Sequence, residues 1–569
     1  MARNLSTASV RSRLSAVVRR LSAAVAARVS VDPRALAAFR IGLGALLIAD
    51  LLLRSRSLTA FYTDYGVLPR RAFFSDYSTS YSLHALSGEP WAIASLFAVA
   101  GGVALALLVG YRTRLATVVS WLLLFSLHAR NPMVLNSGDG LLRMLLFWSA
   151  FLPLGARWSV DAVRRADRGA DAAADAAPTA DPVGGPASGD GGGPASGDGG
   201  GPSTPGPSEP AVASVATMAI LVQILVMYLT NAVHKYRSDL WMGGEAVAYV
   251  MRADQFTYHL GNHLAEFSGL LRAFTLLWVA LLFASPLLLL LTGTPRAVLA
   301  SLFAGMHLGM AVSIRVGLFP VIVVVGLIPF FQTPVWDALD RAVAGLNRST
   351  RLARWRARLE SLARAVRSLA ASLPRPTASR RLDGLRSEGL AAGIARGRAR
   401  FSAVVPTVFL VLILLSSAGS VGYAEVPDPA ADALDAVDMQ QSWQMFAPDP
   451  IHTTRWYVAS GTLEDGTERD VFRDSTVDFD RPARAETTYR TARWRKYLKK
   501  VSAADNENHR SYLANYLCTD WNRTHETDVE TVTIYRLYER IHPYNGTVEA
   551  ANEFELIEYD CSGEFVQDA

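Results

Sequence analysis

Lys235 is the residue whose position in the sequence first suggests chemistry. It follows an apolar stretch at 211–230, which is long enough to cross a bilayer at about 1.5 Å per residue. His234 precedes it, and Trp241 with a Gly-Gly pair follows, which indicates a tight re-entry rather than a solvated loop. Amines and imidazoles are groups that exchange protons in catalysis. The structural alternative is a lysine that extends into the lipid headgroups.

Further polar residues fall at the same predicted side of the membrane, and Trp241 is assigned to the same pocket. They are His128, Arg130, Asn131, Asn136, Asp139, His259, His263, His307 and Arg315. Each has a structural alternative; Asp139, for example, could cap a helix that begins at Gly140. Because ionisable groups are costly in hydrocarbon, the set together predicts a polar pocket at the outer face, covered by the C-terminal domain.

A metal site is a weaker interpretation of the same residues. It would use His234, His259, His263 and Asp139, and the spacing of His259 and His263 suits one helix face. The glutamate of the zinc-protease pattern is missing, so we predict no metal. The sequence has neither a phosphate-binding P-loop nor a dinucleotide fingerprint, and its two cysteines are too few for cysteine-based zinc or iron–sulfur sites.

The composition is that of a membrane protein, with 50% hydrophobic and 19% charged residues among 569. Apolar blocks recur along the chain and predict about nine transmembrane helices. They lie at 36–53, 91–111, 115–127, 141–154, 211–233, 270–291, 297–313, 316–331 and 401–423. The fold class predicted is therefore an α-helical polytopic membrane domain with an extracytoplasmic β-rich or α+β domain at its C-terminus.

The arginine distribution orients these segments. With residues 1–30 as a basic cytoplasmic N-terminus, helices one to four (31–170), five to eight (211–333) and the last (401–423) leave the Arg-rich connections inside. The segment 334–400 is predicted to be cytoplasmic, and 351–373 within it is either an amphipathic helix on the membrane surface or a solvated basic helix. Residues 171–210 are a Gly, Ser, Pro and Asp tract, which predicts a disordered linker.

The C-terminal region, 424–569, has a different pattern. Residues 423–569 carry 28 acidic and 15 basic side chains, about −13, which leaves about +18 on the rest of a +5 chain. A hairpin is predicted at 456–472 around an Asp-Gly turn, strands at 529–537 and 547–559, and helices at 490–500 and 511–521. The only two cysteines, Cys518 and Cys561, lie here with sequons at Asn522 and Asn545, which predicts a disulfide and glycans outside the cell.

Five sequence patches make the chain resemble the vitamin K-dependent γ-carboxylase-like family, the horizontally transferred transmembrane domain proteins. They occur in family order and span most of the chain. They are RIGLGALLIADLL with FYTDYGVLPR, RNPMVLNSGDGLLRMLLFWSAFLPLG, HKYRSDLWMGGEAVAYV, MHLGMAVSIRVGLFP and QSWQMFAPDP.

The resemblance implies roles for particular residues. Lys235 matches the lysine that deprotonates reduced vitamin K, and His307 matches the family's histidine before Gly-Leu-Phe-Pro. His234 is grouped with them as catalytic. A lysine is a base only when neutral, and an apolar pocket favours that form. One departure is that Asn136-Ser-Gly-Asp139 stands where the carboxylase has a histidine after its Asn pair.

The resemblance further implies a reduced naphthoquinone (vitamin K or menaquinol) as cofactor, with O2 and CO2 as co-substrates. Partners would be the lipid bilayer and a Glu-containing peptide, and no nucleic acid. Two alternatives stay open. One is a quinone-linked membrane oxidoreductase or epoxidase of the same family. The other is non-enzymatic: a membrane anchor that presents an acidic extracytoplasmic domain, or a small-solute carrier, although no repeat typical of transporters is visible.

Overall fold

The structure is a computed structural model. It describes residues 7–77, 81–175, 210–346 and 388–563, with isolated positions at 361, 365, 368 and 372. Most of the predicted linker at 171–210 and of the predicted basic helix at 351–373 therefore lies outside the described residues.

Helices dominate the part of the chain before residue 436. They are α1 Thr7–Val29, α2 Pro33–Ser55, α3 Leu58–Tyr62, α4 Arg70–Asp76, α5 Pro90–Val109, α6 Thr113–Arg130, α7 Ser137–Ser149, α8 Val160–Asp175, α9 Val215–Tyr236, α10 Asp239–Met242, α11 Ala246–Arg252, α12 Leu260–Leu264, α13 Ser268–Ala284, α14 Leu287–Leu290, α15 Gly293–Ser313, α16 Phe319–Leu327, α17 Thr333–Leu346, α18 Glu388–Ser420 and α19 Asp428–Asp435. Short 3₁₀ turns at Leu83–Ala85, Pro132–Val134 and Ile328–Phe330 connect some of them.

Five of the described helices are long and apolar enough to cross a membrane. These are α2, α5, α9, α15 and residues Arg396–Ser420 of α18. A sixth is possible if Phe319–Phe330 and Thr333–Gly345, bent by 99° at their junction, count as one broken span. These helices indicate an integral membrane protein. The number nine stays a prediction, because α7 has 13 residues and the predicted segment 270–291 is divided between α13 and α14, where a perpendicular span needs about 20.

Helix α9 is the most enclosed of the five. Of the residues in its most apolar 18-residue stretch, 72% are buried, against 22% in α5. Its neighbours are α7, α13, α16 and α18, so side chains on several of its faces are covered by protein. The last turn of this central helix contains Lys235, which therefore lies inside the protein rather than at a lipid-facing edge.

The C-terminal region forms a four-stranded antiparallel sheet in the order β2-β1-β3-β4. Its strands are β1 Thr453–Leu463, β2 Glu468–Asp470, β3 Val529–Ile541 and β4 Val548–Asp560. The predicted hairpin is confirmed: Ser460 pairs with Asp470, and Gly466 in the turn has a φ of +79°, which glycine adopts without strain. Helices α20 Ala492–Val501 and α21 Asn508–Thr524 are also as predicted, and α21 packs on β3 and β4.

The disulfide is confirmed. Cys518 on α21 is bonded to Cys561, just after β4, with an S–S distance of 2.01 Å and a sequence separation of 43. It joins the helix to the edge of the sheet, and no described cysteine is free. A disulfide in this region is in keeping with an extracytoplasmic domain.

Removing this disulfide should destabilise the C-terminal domain. Cys518→Ser with Cys561→Ser releases a loop of 43 residues, and the loop-entropy relation associates its closure with about 3 to 4 kcal/mol. Chemical unfolding followed by the fluorescence of the intact protein would measure the loss. An unchanged midpoint in the double variant would contradict the prediction.

Candidate active-site cavity

A cavity of about 790 Å³ lies where the membrane helices meet the C-terminal domain. Its walls come from the ends of α9 and α15, from residues 247–264, from the chain at 442–457 and from α20. Of the residues predicted for a site, Lys235, His307, Asn136 and Trp241 line it. The cavity therefore unites four predicted residues that are up to 171 positions apart in the sequence.

Lys235 is 2% exposed and is held by backbone carbonyl groups. Its Nζ donates to the carbonyl of Met445 at 2.9 Å and to that of Phe446 at 3.3 Å. The same Nζ lies 3.4 Å from the ring centroid of Trp241, whose Nε1 donates to the Phe446 carbonyl at 2.8 Å. Among the described residues no carboxylate lies within ion-pair distance of this amine. The snorkelling interpretation therefore does not describe Lys235, because the amine faces protein rather than headgroups.

The chain at 441–449 crosses the cavity and positions the lysine. Asn231, one turn before Lys235 on α9, donates to the carbonyls of Trp443 at 2.9 Å and Met445 at 3.3 Å. Gln441 accepts a hydrogen bond from Trp443 Nε1 at 2.8 Å and donates to the Met439 carbonyl at 2.8 Å. This is the QSWQMFAPDP patch, and its conformation is fixed by side chains of the membrane domain.

His307 belongs to an apolar, aromatic wall. Its Nε2 is 3.1 Å from the Tyr228 hydroxyl, and its Nδ1 is buried without a hydrogen-bond partner. The ring meets Trp278 at 5.4 Å and Phe319 at 5.8 Å, while Tyr228 stacks on Phe303 at 4.3 Å. One unpaired imidazole nitrogen in an aromatic wall suits a ligand that is largely apolar and has one polar group.

The C-terminal domain contributes basic residues to the cavity. Arg455, Arg495, Lys496 and Lys499 all line the cavity. Burial lowers the pKa of Arg495 to about 10, and its guanidinium carbon lies 3.7 Å from the ring centroid of Phe256. Burial and then the neighbouring cations lower the pKa values of Lys496 and Lys499. Several cations around one cavity favour an anionic ligand.

A second polar cluster lies apart from the cavity, and it contains His128 and Asp139. Arg54 donates to Asp50 at 2.7 Å and to Asp139 at 2.6 Å. Arg493 of α20 reaches the same two acids, at 2.6 Å to Asp50 and 3.0 Å to Asp139. His128 sits beside them, with its Nε2 3.0 Å from the Arg54 guanidinium. The cluster therefore joins α2, α6 and α7 to the C-terminal domain.

Asp50, His128 and Asp139 are close enough together to hold a metal ion. Their carboxylate oxygens, however, are already bound by guanidinium groups of Arg54 and Arg493, as those ion pairs show. A cation there would have to displace two arginines. The arrangement is that of an ion-pair network, which stabilises the contact between domains.

Several predicted site residues lie outside the cavity. His259 and His263 are exposed, because the short helix α12 that follows His259 presents both away from the walls. Arg315 donates to the Glu486 carbonyl at 2.7 Å, and Asn131 donates to the Phe61 carbonyl at 3.0 Å. Each has a structural role in joining segments.

The remaining predicted residues lie at the ends of α6 and α9 and at the start of α7. Asn136 and Asp139 form a capping box at the start of α7; the N-cap is Asn136, whereas the sequence predicted Asp139. Arg130 and His234 are buried away from the cavity. The prediction of one pocket that contains every polar residue is therefore corrected: capping and ion pairing separate them into different sites.

Helix α20 and the buried acids contribute to these sites although neither was among the predicted site residues. Helix α20 contains five basic residues in ten positions within an otherwise acidic region, a signal that was available. Asp50 and Arg54 are ionisable residues four positions apart in an apolar segment, which is itself a functional or structural signal. Met445 and Phe446 act through their backbone carbonyls, which no side-chain pattern reveals.

No family model, curated protein or solved structure matches this chain. A functional assignment therefore depends on the cavity: a buried amine held by carbonyls, an aromatic wall and a basic wall.

Proposed function

We propose that the chain is a membrane enzyme of the vitamin K-dependent γ-carboxylase-like family, which uses a reduced naphthoquinone, O2 and CO2 to carboxylate Glu side chains in peptides. The observation that carries the proposal is Lys235, a buried amine without a described carboxylate partner on the wall of a two-faced cavity. The five sequence patches support the family, and the residues around the cavity support the chemistry.

The aromatic wall suits a quinol ring. Tyr228, Trp278 and Phe319 offer flat apolar surface, and the unpaired Nδ1 of His307 offers one polar contact to a ring oxygen. A volume of about 790 Å³ accommodates a bicyclic ring with further room for a second substrate. When bound, the reduced quinone supplies the reducing equivalents whose reaction with O2 yields a strong base.

Lys235 is arranged to accept a proton at Nζ. A neutral amine has two N–H groups and one lone pair, and the two carbonyls of Met445 and Phe446 can accept those two N–H groups. The lone pair is then left for a proton from a hydroxyl group in the cavity. The Trp241 ring, 3.4 Å from Nζ, stabilises the ammonium that results.

The basic wall suits the peptide substrate. Arg495, Lys496 and Lys499 would attract a glutamate carboxylate and hold it beside the C-terminal domain. This arrangement separates the apolar ligand, which would enter from the bilayer, from the acidic ligand, which would enter from the C-terminal domain.

We further propose that the N-terminus and residues 334–400 are cytoplasmic and that the C-terminal domain is extracytoplasmic. The arginine distribution supports this orientation, and so does the disulfide. A membrane-impermeant thiol reagent should label a cysteine introduced at Asn545, which is exposed, and should spare one introduced at Arg341. The reverse labelling pattern would contradict the orientation.

The quinone-linked oxidoreductase or epoxidase is the second candidate, and one observation favours it. Asn136 lies on the cavity near the position where the carboxylase has a histidine, and its side-chain oxygen is used to cap α7. An amide cannot exchange protons as an imidazole does, so the step that assists proton removal from Glu has no obvious residue. Oxidation of the quinol needs no such residue. A non-enzymatic anchor would need neither the buried lysine nor the cavity.

One assay separates the three candidates. Purified protein in lipid nanodiscs is supplied with reduced naphthoquinone, O2, labelled CO2 and a Glu-containing peptide, with a Gln-containing peptide as the matched control. Label in the Glu peptide alone supports the carboxylase. Quinol oxidation without incorporated label supports the oxidoreductase, and absence of both supports the anchor.

A further inference from the structure

Arg130, the last residue of α6, is a fully buried cation without hydrogen-bonding partners. It is 0% exposed, and its Nε, Nη1 and Nη2 atoms all lack an acceptor. Its guanidinium carbon lies 5.4 Å from the ring centroid of Phe73, which covers one side. A buried charge is tolerated only when it is paired, so this group needs an acceptor that the described residues do not supply.

His84 presents a second unsatisfied group nearby. It is also 0% exposed; its Nδ1 is 2.8 Å from the Ser126 hydroxyl, while its Nε2 has no partner. Ser126 precedes Arg130 by four residues on α6, so both side chains lie on one face of that helix. His84 is thereby brought to the helix face that ends at Arg130.

The free nitrogen of His84 can donate a hydrogen bond. Burial, and then the charges of Arg130 and Arg54, lower the pKa of His84 to about 4, so the ring is neutral near pH 7. The Ser126 hydroxyl oxygen accepts from the His84 backbone N–H at 3.2 Å and lies 2.8 Å from Nδ1. In the tautomer in which the Ser126 hydroxyl donates to Nδ1, the single ring proton is on Nε2, and this N–H has no acceptor among the described residues.

The nearest acid does not neutralise Arg130. Asp64 influences it electrostatically but lies beyond ion-pair distance, and both Asp64 oxygens accept from Arg70, at 2.8 Å each. The Asp64 and Arg70 charges cancel. What is left is one net positive charge and a set of N–H donors that point to no acceptor among the described residues.

We propose that Arg130 and His84 Nε2 bind a small monovalent inorganic anion such as chloride. One anion balances the one net charge, and a spherical ion accepts from both the guanidinium and the imidazole N–H. The site lies beyond the residues that line the large cavity and is independent of the function proposed for it. Water, the competing occupant, would satisfy the donors but would leave the charge unbalanced.

The test is thermal unfolding of the full-length protein in chloride against gluconate at equal ionic strength. Gluconate is too large for a buried site. Chloride should raise the melting temperature saturably, by about 2 °C or more at high occupancy, and bromide should act likewise. The same melting temperature in both salts would overturn the proposal.

Two variants identify the residues. Arg130→Met should melt at one temperature in both salts, whereas Arg296→Met, which removes another buried arginine, should keep the chloride response. His84→Leu should raise the half-saturating chloride concentration by about fivefold or more, the effect of one lost hydrogen bond. An unchanged chloride response in both Arg130→Met and His84→Leu would place the anion elsewhere and overturn the assignment. If Arg130→Met does not fold, the response of His84→Leu alone decides.

Discussion

Lys235→Ala is expected to abolish quinol-dependent turnover while the protein still inserts and folds. General bases contribute about 10²- to 10⁴-fold to rate, so activity should fall by at least that range. Folding should survive because the variant removes a buried amine that has no described carboxylate partner, so no charge is left unpaired. Lys235→Arg should be equally inactive, because a guanidinium stays protonated at working pH and cannot accept a proton. Quinol oxidation and label incorporation measure both.

The control for this pair is Tyr236→Phe. Tyr236 is the next residue on α9 but is 64% exposed, so its variant should retain the parent's activity and melting temperature. Equal activity in Lys235→Arg and the parent would refute the assignment of Lys235 as a base. Loss of activity together with a much lower melting temperature in Lys235→Ala would instead indicate that the lysine serves to hold the 441–449 segment.

Arg493→Ala is expected to produce the largest loss of stability. Arg493 binds Asp50 at 2.6 Å and Asp139 at 3.0 Å, and both acids are buried. Removing it leaves two carboxylates with Arg54 as their remaining close partner, and breaking a buried pair in this way costs about 3 to 5 kcal/mol. Because Arg493 belongs to the C-terminal domain and the acids to the membrane domain, the first change should be separation of the two. Limited proteolysis and thermal unfolding would detect it.

A double-mutant cycle tests whether the loss comes from this pairing. Asp139→Asn should be destabilising alone. The double variant with Arg493→Ala should lose less stability than the sum of the two single losses, because both substitutions remove one shared interaction. Arg523→Ala is the matched control: this exposed arginine pairs with Asp520 at 2.7 Å, and its loss should cost about 0 to 1 kcal/mol. Full additivity of Asp139→Asn and Arg493→Ala would show that the loss does not come from this ion pair.

The sequence by itself determined the features that depend on local patterns. Alternation of apolar residues and an Asp-Gly turn predicted the hairpin of β1 and β2, and long apolar runs predicted α2, α5 and α9. The disulfide followed from there being two cysteines in one domain, which allows a single pairing. Periodicity and turn chemistry are contained in a few neighbouring residues, and with only two cysteines in the chain a single intramolecular pairing exists.

Only the tertiary structure decided which polar residues meet. His128 and Asp139 were predicted to share a pocket with Lys235, but Asp139 pairs with Arg493, 354 positions away, and His128 contacts Arg54. His259 and His263 have a metal-like spacing and are exposed. Lys235 is held by two backbone carbonyls from a segment about 210 positions later. Ion pairs and backbone contacts between distant segments depend on how the helices and the sheet pack, and the spacing of residues along one segment does not contain that information.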